Sequence, residues 1–167
     1  MKIINKNDER AIRKHFENYR KIRHAVDLRR EELIKTSAKA ISYDRDNLQP
    51  TNRISDPVGI RGQQLAYIRA VEIAPSEVVT HPEKWLKVIE NTVTKFNDLR
   101  GEVIERRYFR QETPDKICLD MALPKSTFYD WDEDILFFAA MLCVQVGLLK
   151  VRIYPLDTSI LKNPQEI

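Results

Sequence analysis

Residues 113–134, TPDKICLDMALPKSTFYDWDED, constrain the fold of this chain more than any other stretch. Thr113 is a favoured helix N-cap and Pro114 suits the first helical turn, so we predict that a helix begins here. Pro124 disfavours helical geometry in the residue before it, which ends that helix early and leaves a tight Ala-Leu-Pro turn. A second helix is predicted to begin at Lys125 or at the serine after it.

Apolar residues at helical spacing give both helices an inward face. These residues are Ile117, Cys118 and Met121 in the first helix and Phe128, Trp131 and Ile135 in the second. Ala122 stands where such turns usually hold glycine, and Leu123 can fill the angle between the helices. A short helix, a three-residue turn and a second helix are the parts of the DNA-binding helix-turn-helix, which we place at residues 113–135. Ordinary helical packing with the same outline remains the alternative.

The outward residues of the second helix are the candidates for reading bases. They are Lys125, Ser126, Thr127, Tyr129 and Asp130. Lysine can reach a guanine edge, the threonine methyl can contact thymine, and a carboxylate can accept from cytosine N4. The candidates for phosphate contacts are Arg106, Arg107, Arg110 and Lys116. Because more carboxylates facing DNA would oppose binding, we predict that Asp132 and Asp134 cap or solvate the helix, and Glu133 stays unassigned.

The rest of the chain predicts an all-α fold. Residues 1–41 form a basic helical region, with a helix over 8–40, and residues 42–62 read as a linker because they hold prolines, glycines and no periodicity. Residues 63–149 form a helical domain that contains the helix-turn-helix. The tail, 150–167, is expected to be extended.

Within residues 63–149 two further helices are predicted before the motif. The first covers Gln63–Ile73, and a long one follows to Phe109, with Thr80 as N-cap and Glu83 at the capping-box position. The apolar run Ile135–Leu149 predicts a buried helix that packs on the long one, with a share in a dimer interface as a further option. Val151–Pro155 is the only strand candidate.

Composition and charge exclude several classes of protein. The chain is 43% hydrophobic and 32% charged with four glycines, which is a globular profile, and we expect neither a membrane span nor a signal peptide. Cys118 and Cys143 make no disulfide framework, so we expect a cytoplasmic protein. Residues 1–65 hold 15 Lys and Arg against 9 Asp and Glu, whereas the remainder holds 13 against 16. The basic front could meet nucleic acid or an acidic protein face.

Candidates for catalysis are few. His15, His24 and His81 are scattered, and the chain has no metalloprotease, phosphate-loop or nucleophile-elbow motif and no zinc-spaced set of Cys and His. Each histidine is interpreted as a satisfied surface residue. We expect neither enzymatic activity nor a cofactor nor a metal site.

Three segments resemble a known family. They are Ser55-Asp56-Pro57-Val58-Gly59, Arg107-Tyr108 ahead of the motif, and Lys125-Ser126-Thr127-Phe128-Tyr129 at the start of the second helix. From Arg106 onward the chain is similar to region 4 of sigma factors. Over roughly residues 10–149 it resembles the RinA and ArpU type of phage late transcription activators.

The resemblance implies a sequence-specific activator of phage late genes for packaging, morphogenesis and lysis. Such a protein would act on double-stranded promoter DNA with host RNA polymerase, in the cytoplasm of a bacterial host. Two other hypotheses stay open, a small-terminase-like packaging protein and a module that binds polymerase only. A ring of many subunits would favour packaging, and the oligomeric state is otherwise undetermined.

Overall fold

The computed structural model describes residues 5–43 and 68–150, with side chains placed for 5–35 and 68–150. This part of the chain is mostly helical and has one small two-stranded sheet, so the all-α prediction is confirmed. The elements are α1 Lys6–Glu17, α2 Tyr19–Tyr43, β1 Ala70–Ala74, β2 Glu77–Thr80, α3 Pro82–Lys95, α4 Leu99–Ile104 with a π-helical turn Glu105–Phe109, α5 Pro114–Asp120 and α6 Lys125–Gln145.

Most of the predicted linker and the strand candidate Val151–Pro155 lie outside the described residues. No described helix combines the length and the apolarity needed to cross a bilayer.

The N-terminal region holds two helices where one was predicted over residues 8–40. Asn5 caps α1 by accepting a hydrogen bond from the Asn7 backbone N–H at 3.1 Å. The helix ends at Asn18, a residue whose short amide side chain competes with helical backbone bonds, and α2 begins directly after it. The predicted apolar stripe is correct on both sides of this break, since Ile12, Phe16 and Ile22 are fully buried.

The prediction of a helix over Gln63–Ile73 is wrong from residue 70 onward, where the chain forms a hairpin. β1 pairs antiparallel with β2, and Val71 lies opposite Val79. Both valines are buried, and β1 packs on α2. The turn holds Pro75 and Ser76, and Ser76 has a φ of +69°. A turn proline between two runs of β-branched residues favours a hairpin over a helix, although each run is short.

The long helix predicted up to Phe109 is also wrong as a single element. α3 ends at Phe96, and α4 starts after Asp98, which caps it by accepting from the Arg100 N–H at 2.9 Å. The residue before α3 is His81, not the predicted cap Thr80, and its φ of +54° is left-handed. Pro82 then opens the helix, where its missing N–H costs nothing.

The core forms where α6 crosses α1, α3 and α4. Ile135, Ala139 and Cys143 are buried along the inner side of α6, which confirms that the apolar run packs on the preceding helices. Gly147, with a φ of +73°, ends α6 in the left-handed conformation that glycine adopts freely. The Leu148 N–H then donates to the Cys143 carbonyl at 2.8 Å, so the end of the helix is satisfied.

Candidate nucleic-acid interface

The two helices of the predicted motif are present with the predicted ends. The Thr113 hydroxyl accepts from the Lys116 N–H at 3.4 Å, and Pro114 is the first residue of α5. α5 runs for seven residues, and α6 begins at Lys125 directly after Pro124. Ala122 has a φ of +50°, the left-handed geometry that usually selects glycine at this place in the turn. The Leu123 N–H donates to the Cys118 carbonyl at 2.9 Å and closes the turn.

The inner side of the motif is apolar. Ile117, Cys118 and Phe128 are buried, with exposed fractions of 0%, 8% and 1%. Met121, Leu123 and Trp131 are partly buried against the same core. The small thiol of Cys118 allows α5 and α6 to approach closely.

The residues proposed to read bases lie together at the N-terminal end of α6. Lys125, Ser126, Tyr129 and Asp130 are exposed, and Thr127 is half-buried. The Lys125 ammonium contacts the Asp115 carboxylate of α5 at 2.7 Å. This hydrogen bond and the charge of Asp115 raise the pKa of Lys125. Because both side chains are exposed, a DNA phosphate can compete with Asp115 for the ammonium.

The residues proposed to contact phosphate are held by acids of the same region. The Arg106 side chain is only 12% exposed and forms ion pairs with Glu112, at 2.8 Å, and with Asp120. The hydrogen bond that Arg106 donates to the Asp120 carboxylate raises the pKa of this guanidinium despite partial desolvation. Arg106 therefore ties the π-helical turn to both ends of α5.

Of the other three phosphate candidates, Arg110 and Lys116 are more exposed than Arg106, whereas Arg107 is half-buried. Arg110 contacts Glu105 at 3.3 Å and is half exposed, and Lys116 contacts Glu112 at 3.6 Å. Arg107 donates to the Glu112 carbonyl at 3.4 Å. Ion pairs of exposed cations contribute little to stability, so Arg110 and Lys116 remain able to turn toward a nucleic-acid backbone.

Asp132 has a role that the sequence prediction missed. It was expected to cap or solvate the helix, but only 4% of it is exposed. Its carboxylate accepts a hydrogen bond from the Tyr108 hydroxyl at 2.5 Å and forms an ion pair with Arg13 of α1 at 2.8 Å. The prediction is wrong because position 132 lies four residues after Phe128 and three before Ile135, on the apolar side of the helix. That spacing was visible in the sequence and could have identified a buried acid.

The buried carboxylate perturbs its two partners. Burial, followed by the charge of Asp132, raises the pKa of Tyr108 well above its ordinary value. Burial alone would lower the pKa of Arg13, but the nearby Tyr108 and Asp132 outweigh it and raise that pKa. Glu9 also pairs with Arg13, at 3.0 Å. The arrangement keeps Tyr108 protonated as a donor and Arg13 charged.

Asp134 lies on the surface, as predicted, and faces a cation. Its carboxylate is 3.5 Å from the Arg100 guanidinium, which also sits over the rings of Phe96 and Trp131 at 5.4 and 5.9 Å. The positive charge of the Arg100 guanidinium, held over these rings, offsets the negative charge of Asp134. Asp130 and Glu133 are the other exposed acids of the first half of α6.

His15 is more enclosed than the surface position predicted for it. Its ring stacks on Trp85 with centroids 3.7 Å apart, and its Nδ1 lies 2.6 Å from the Ala11 carbonyl oxygen. Burial lowers the pKa of His15, so the neutral ring is favoured. His24 and His81 are exposed. The stacking on Trp85 shows that His15 has a structural role, in packing α1 against α3.

Comparisons with protein-family models, with curated proteins and with solved structures found no match for this chain. The functional interpretation therefore depends on the geometry of α5, the turn and α6, and on the residues exposed there.

Proposed function

We propose that the protein binds double-stranded DNA sequence-specifically, with the N-terminal end of α6 in the major groove. One observation carries this proposal: four polar side chains are exposed at the end of a helix whose opposite side is buried against α5 through a tight turn. A long helix supported from behind by a short one can present its first two turns to base edges. Lys125, Ser126 and Tyr129 offer hydrogen-bond donors there, and Asp130 offers an acceptor.

The acids of α6 are compatible with this role because two of them are neutralised within the protein. Asp132 is paired with Arg13, and Asp134 faces Arg100. Asp130 and Glu133 remain on the exposed side, where one carboxylate can select cytosine through its N4 amine. Lys116, Arg107 and Arg110 beside the motif supply the phosphate contacts that hold the register.

The biological role that fits this binding is transcriptional activation. The resemblance to the RinA and ArpU type of activators supports a promoter of phage late genes as the target and host RNA polymerase as the partner. The helix α1 packs on α6, and the basic helices α1 and α2 are the surface we assign to a second contact with DNA or polymerase.

Selection from a random double-stranded DNA library with purified protein tests the proposal. We expect enrichment of a defined sequence, and a binding constant that falls steeply with salt because phosphate contacts release counterions. Lys125→Glu should weaken binding to the enriched DNA by about 10- to 100-fold, since a base or phosphate contact is lost and a carboxylate is added. Tyr129→Ala, which changes an exposed side chain without charge, should weaken it as well.

Lys87→Glu is the matched control, because Lys87 is an exposed lysine of α3. Circular dichroism and unfolding curves should show that all the variants fold. Failure to enrich any sequence, or equal binding by Lys125→Glu and Lys87→Glu, would refute sequence reading by α6. Enrichment together with a ring of many subunits would instead favour the packaging hypothesis.

A further inference from the structure

The second half of α6 carries an apolar stripe on its outward side. Phe137, Met141 and Val144 are 38%, 56% and 37% exposed. Spacings of four and three residues place them on one face of the helix. No charged residue occurs between Ile135 and Leu149. Large apolar side chains grouped in this way on a surface that is otherwise charged indicate an interaction site.

We propose that a second copy of this chain covers the stripe, with the two α6 helices antiparallel about a two-fold axis beside Met141. A two-fold interface requires a patch that is complementary to itself. The stripe meets this requirement, because Phe137 and Val144 lie at nearly equal distances on either side of Met141. In the pair, Phe137 of one copy packs on Val144 of the other, and the two Met141 side chains meet at the axis.

The position of the stripe along α6 argues for a second copy over another partner; this step rests on the proposed DNA binding. The centre of the reading residues, 125–130, lies about 13 residues before the axis, which is about 20 Å at 1.5 Å per residue. An antiparallel pair therefore holds its two reading ends about 39 Å apart, close to the 34–36 Å between half-sites one turn apart on DNA. α6 is continuous from Lys125 to Gln145, so this spacing is built into one helix. An unrelated partner would impose no such relation.

Charge is also compatible with pairing. The overlap of the two helices covers roughly residues 137–145, which hold no acid or base. Asp130, Glu133 and Asp134 lie beyond the overlap, so no like charges oppose one another within it. However, three side chains from each copy bury far less than the roughly 1,600 Å² of a standard interface. The pair is thus weak in free solution and is stabilised when two half-sites on DNA hold both copies close together.

Disulfide trapping tests the axis without DNA. In Met141→Cys the two new thiols face each other, and mild oxidation at high protein concentration should yield a cross-linked dimer. In Val144→Cys the Cα atoms of the two cysteines are offset by about 10 Å along the direction of the helices alone, which exceeds the limit of roughly 7 Å between the Cα atoms of a disulfide. Leu119→Cys places an exposed thiol outside the stripe. Cys118 and Cys143 are buried and are kept in every protein, and the wild type gives the baseline.

We expect Met141→Cys to cross-link at least tenfold faster than Val144→Cys or Leu119→Cys. Equal rates at the three positions would overturn the proposed axis. Combining Phe137→Cys with Val144→Cys in one chain should restore rapid cross-linking, because these positions face each other across the pair; slow cross-linking would contradict the antiparallel register.

Binding measurements on the DNA sequence enriched by selection distinguish a failure of pairing from a failure of DNA binding. Met141→Glu should still fold and protect a single half-site, while its affinity for paired half-sites falls about tenfold or more. Conversely, Lys125→Glu combined with Met141→Cys should cross-link as fast as Met141→Cys alone and fail to protect DNA. If Met141→Glu protected paired half-sites as well as the wild type does, the proposed dimer would be refuted while the proposal of DNA binding would stand.

Discussion

Replacing Asp132 with asparagine tests the buried network that joins α1 to α6. The substitution keeps the shape of the side chain and an oxygen that can accept from Tyr108. It removes the charge that faces Arg13 at 2.8 Å and turns an amide N–H₂ or a neutral oxygen toward the guanidinium. Asp132 is 4% exposed, so water cannot replace the lost carboxylate.

The magnitude follows from what each partner retains. Breaking a buried ion pair by removing one member costs about 3–5 kcal/mol. The Arg13 side chain is 27% exposed and keeps Glu9 at 3.0 Å, which lowers our expectation to about 2–3 kcal/mol of unfolding free energy. Asp132→Ala also removes the acceptor of the Tyr108 proton, and an unsatisfied buried hydroxyl adds about 1–3 kcal/mol.

Urea unfolding followed by far-UV circular dichroism measures these losses. For a chain of this length, each kcal/mol of unfolding free energy that is lost should lower Tm by about 2–4 °C. Asp130→Asn is the control, since Asp130 is an exposed acid of the same helix and should change stability by less than about 0.5 kcal/mol. Adding Arg13→Met to Asp132→Asn should cost less than the sum of the two single changes. Equal stability of Asp132→Asn and Asp130→Asn would refute the proposed role of the network.

Three further predictions concern Gly101, Cys143 and His15. Gly101→Ala should destabilise the protein by about 1–3 kcal/mol in urea although alanine favours helices, because its Cβ would lie 2.3 Å from the Phe96 carbonyl oxygen. Burial raises the pKa of the Cys143 thiol from 9.0 to about 12, so the folded state loses stability as pH rises through this range. Between pH 8 and 10 the unfolding free energy of the wild type should fall by about 1.4 kcal/mol more than that of Cys143→Ala. Burial lowers the pKa of His15 from 6.5, so the unfolding free energy falls as pH drops below 6.5. His15→Phe keeps a ring stacked on Trp85 but cannot be protonated, so its stability should depend less on pH in this range. Unfolding curves that follow tryptophan fluorescence measure the difference.

Features that depend on neighbouring residues could be predicted from the sequence. The cap at Thr113 and the stop at Pro124 each follow from the chemistry of one or two residues, and the structure has both. The left-handed Ala122 follows from its place in a three-residue turn. The buried faces of α5 and α6 follow from apolar spacing, since Ile117 and Phe128 repeat with the period of a helix.

Features that depend on distant residues could not be predicted in this way. Helical spacing places Asp132 on the buried side of α6, but its partner Arg13 lies 119 positions earlier in the chain, and local periodicity contains no trace of that pairing. The hairpin was missed because β1 and β2 have only five and four residues, too few for alternation to compete with a helical pattern. Val71 and Val79 are paired across the hairpin, and β1 packs on α2, a contact that the local sequence does not reveal.

The place of Asp132 along α6 gives its carboxylate a physical role in the proposed function. It lies between the residues proposed to read bases, 125–130, and the apolar stripe, 137–144, and its bonds to Tyr108 and Arg13 hold the middle of the helix against the core. A continuous helix is stiff over this length, so one fixed point in its middle orients both ends. An apolar residue could fill the same volume but could not fix the rotation of α6 through directed bonds. If the two proposals hold, Asp132→Asn should therefore weaken both the binding of a single half-site and the pairing, whereas Lys125→Glu should weaken only half-site binding and Met141→Glu only pairing.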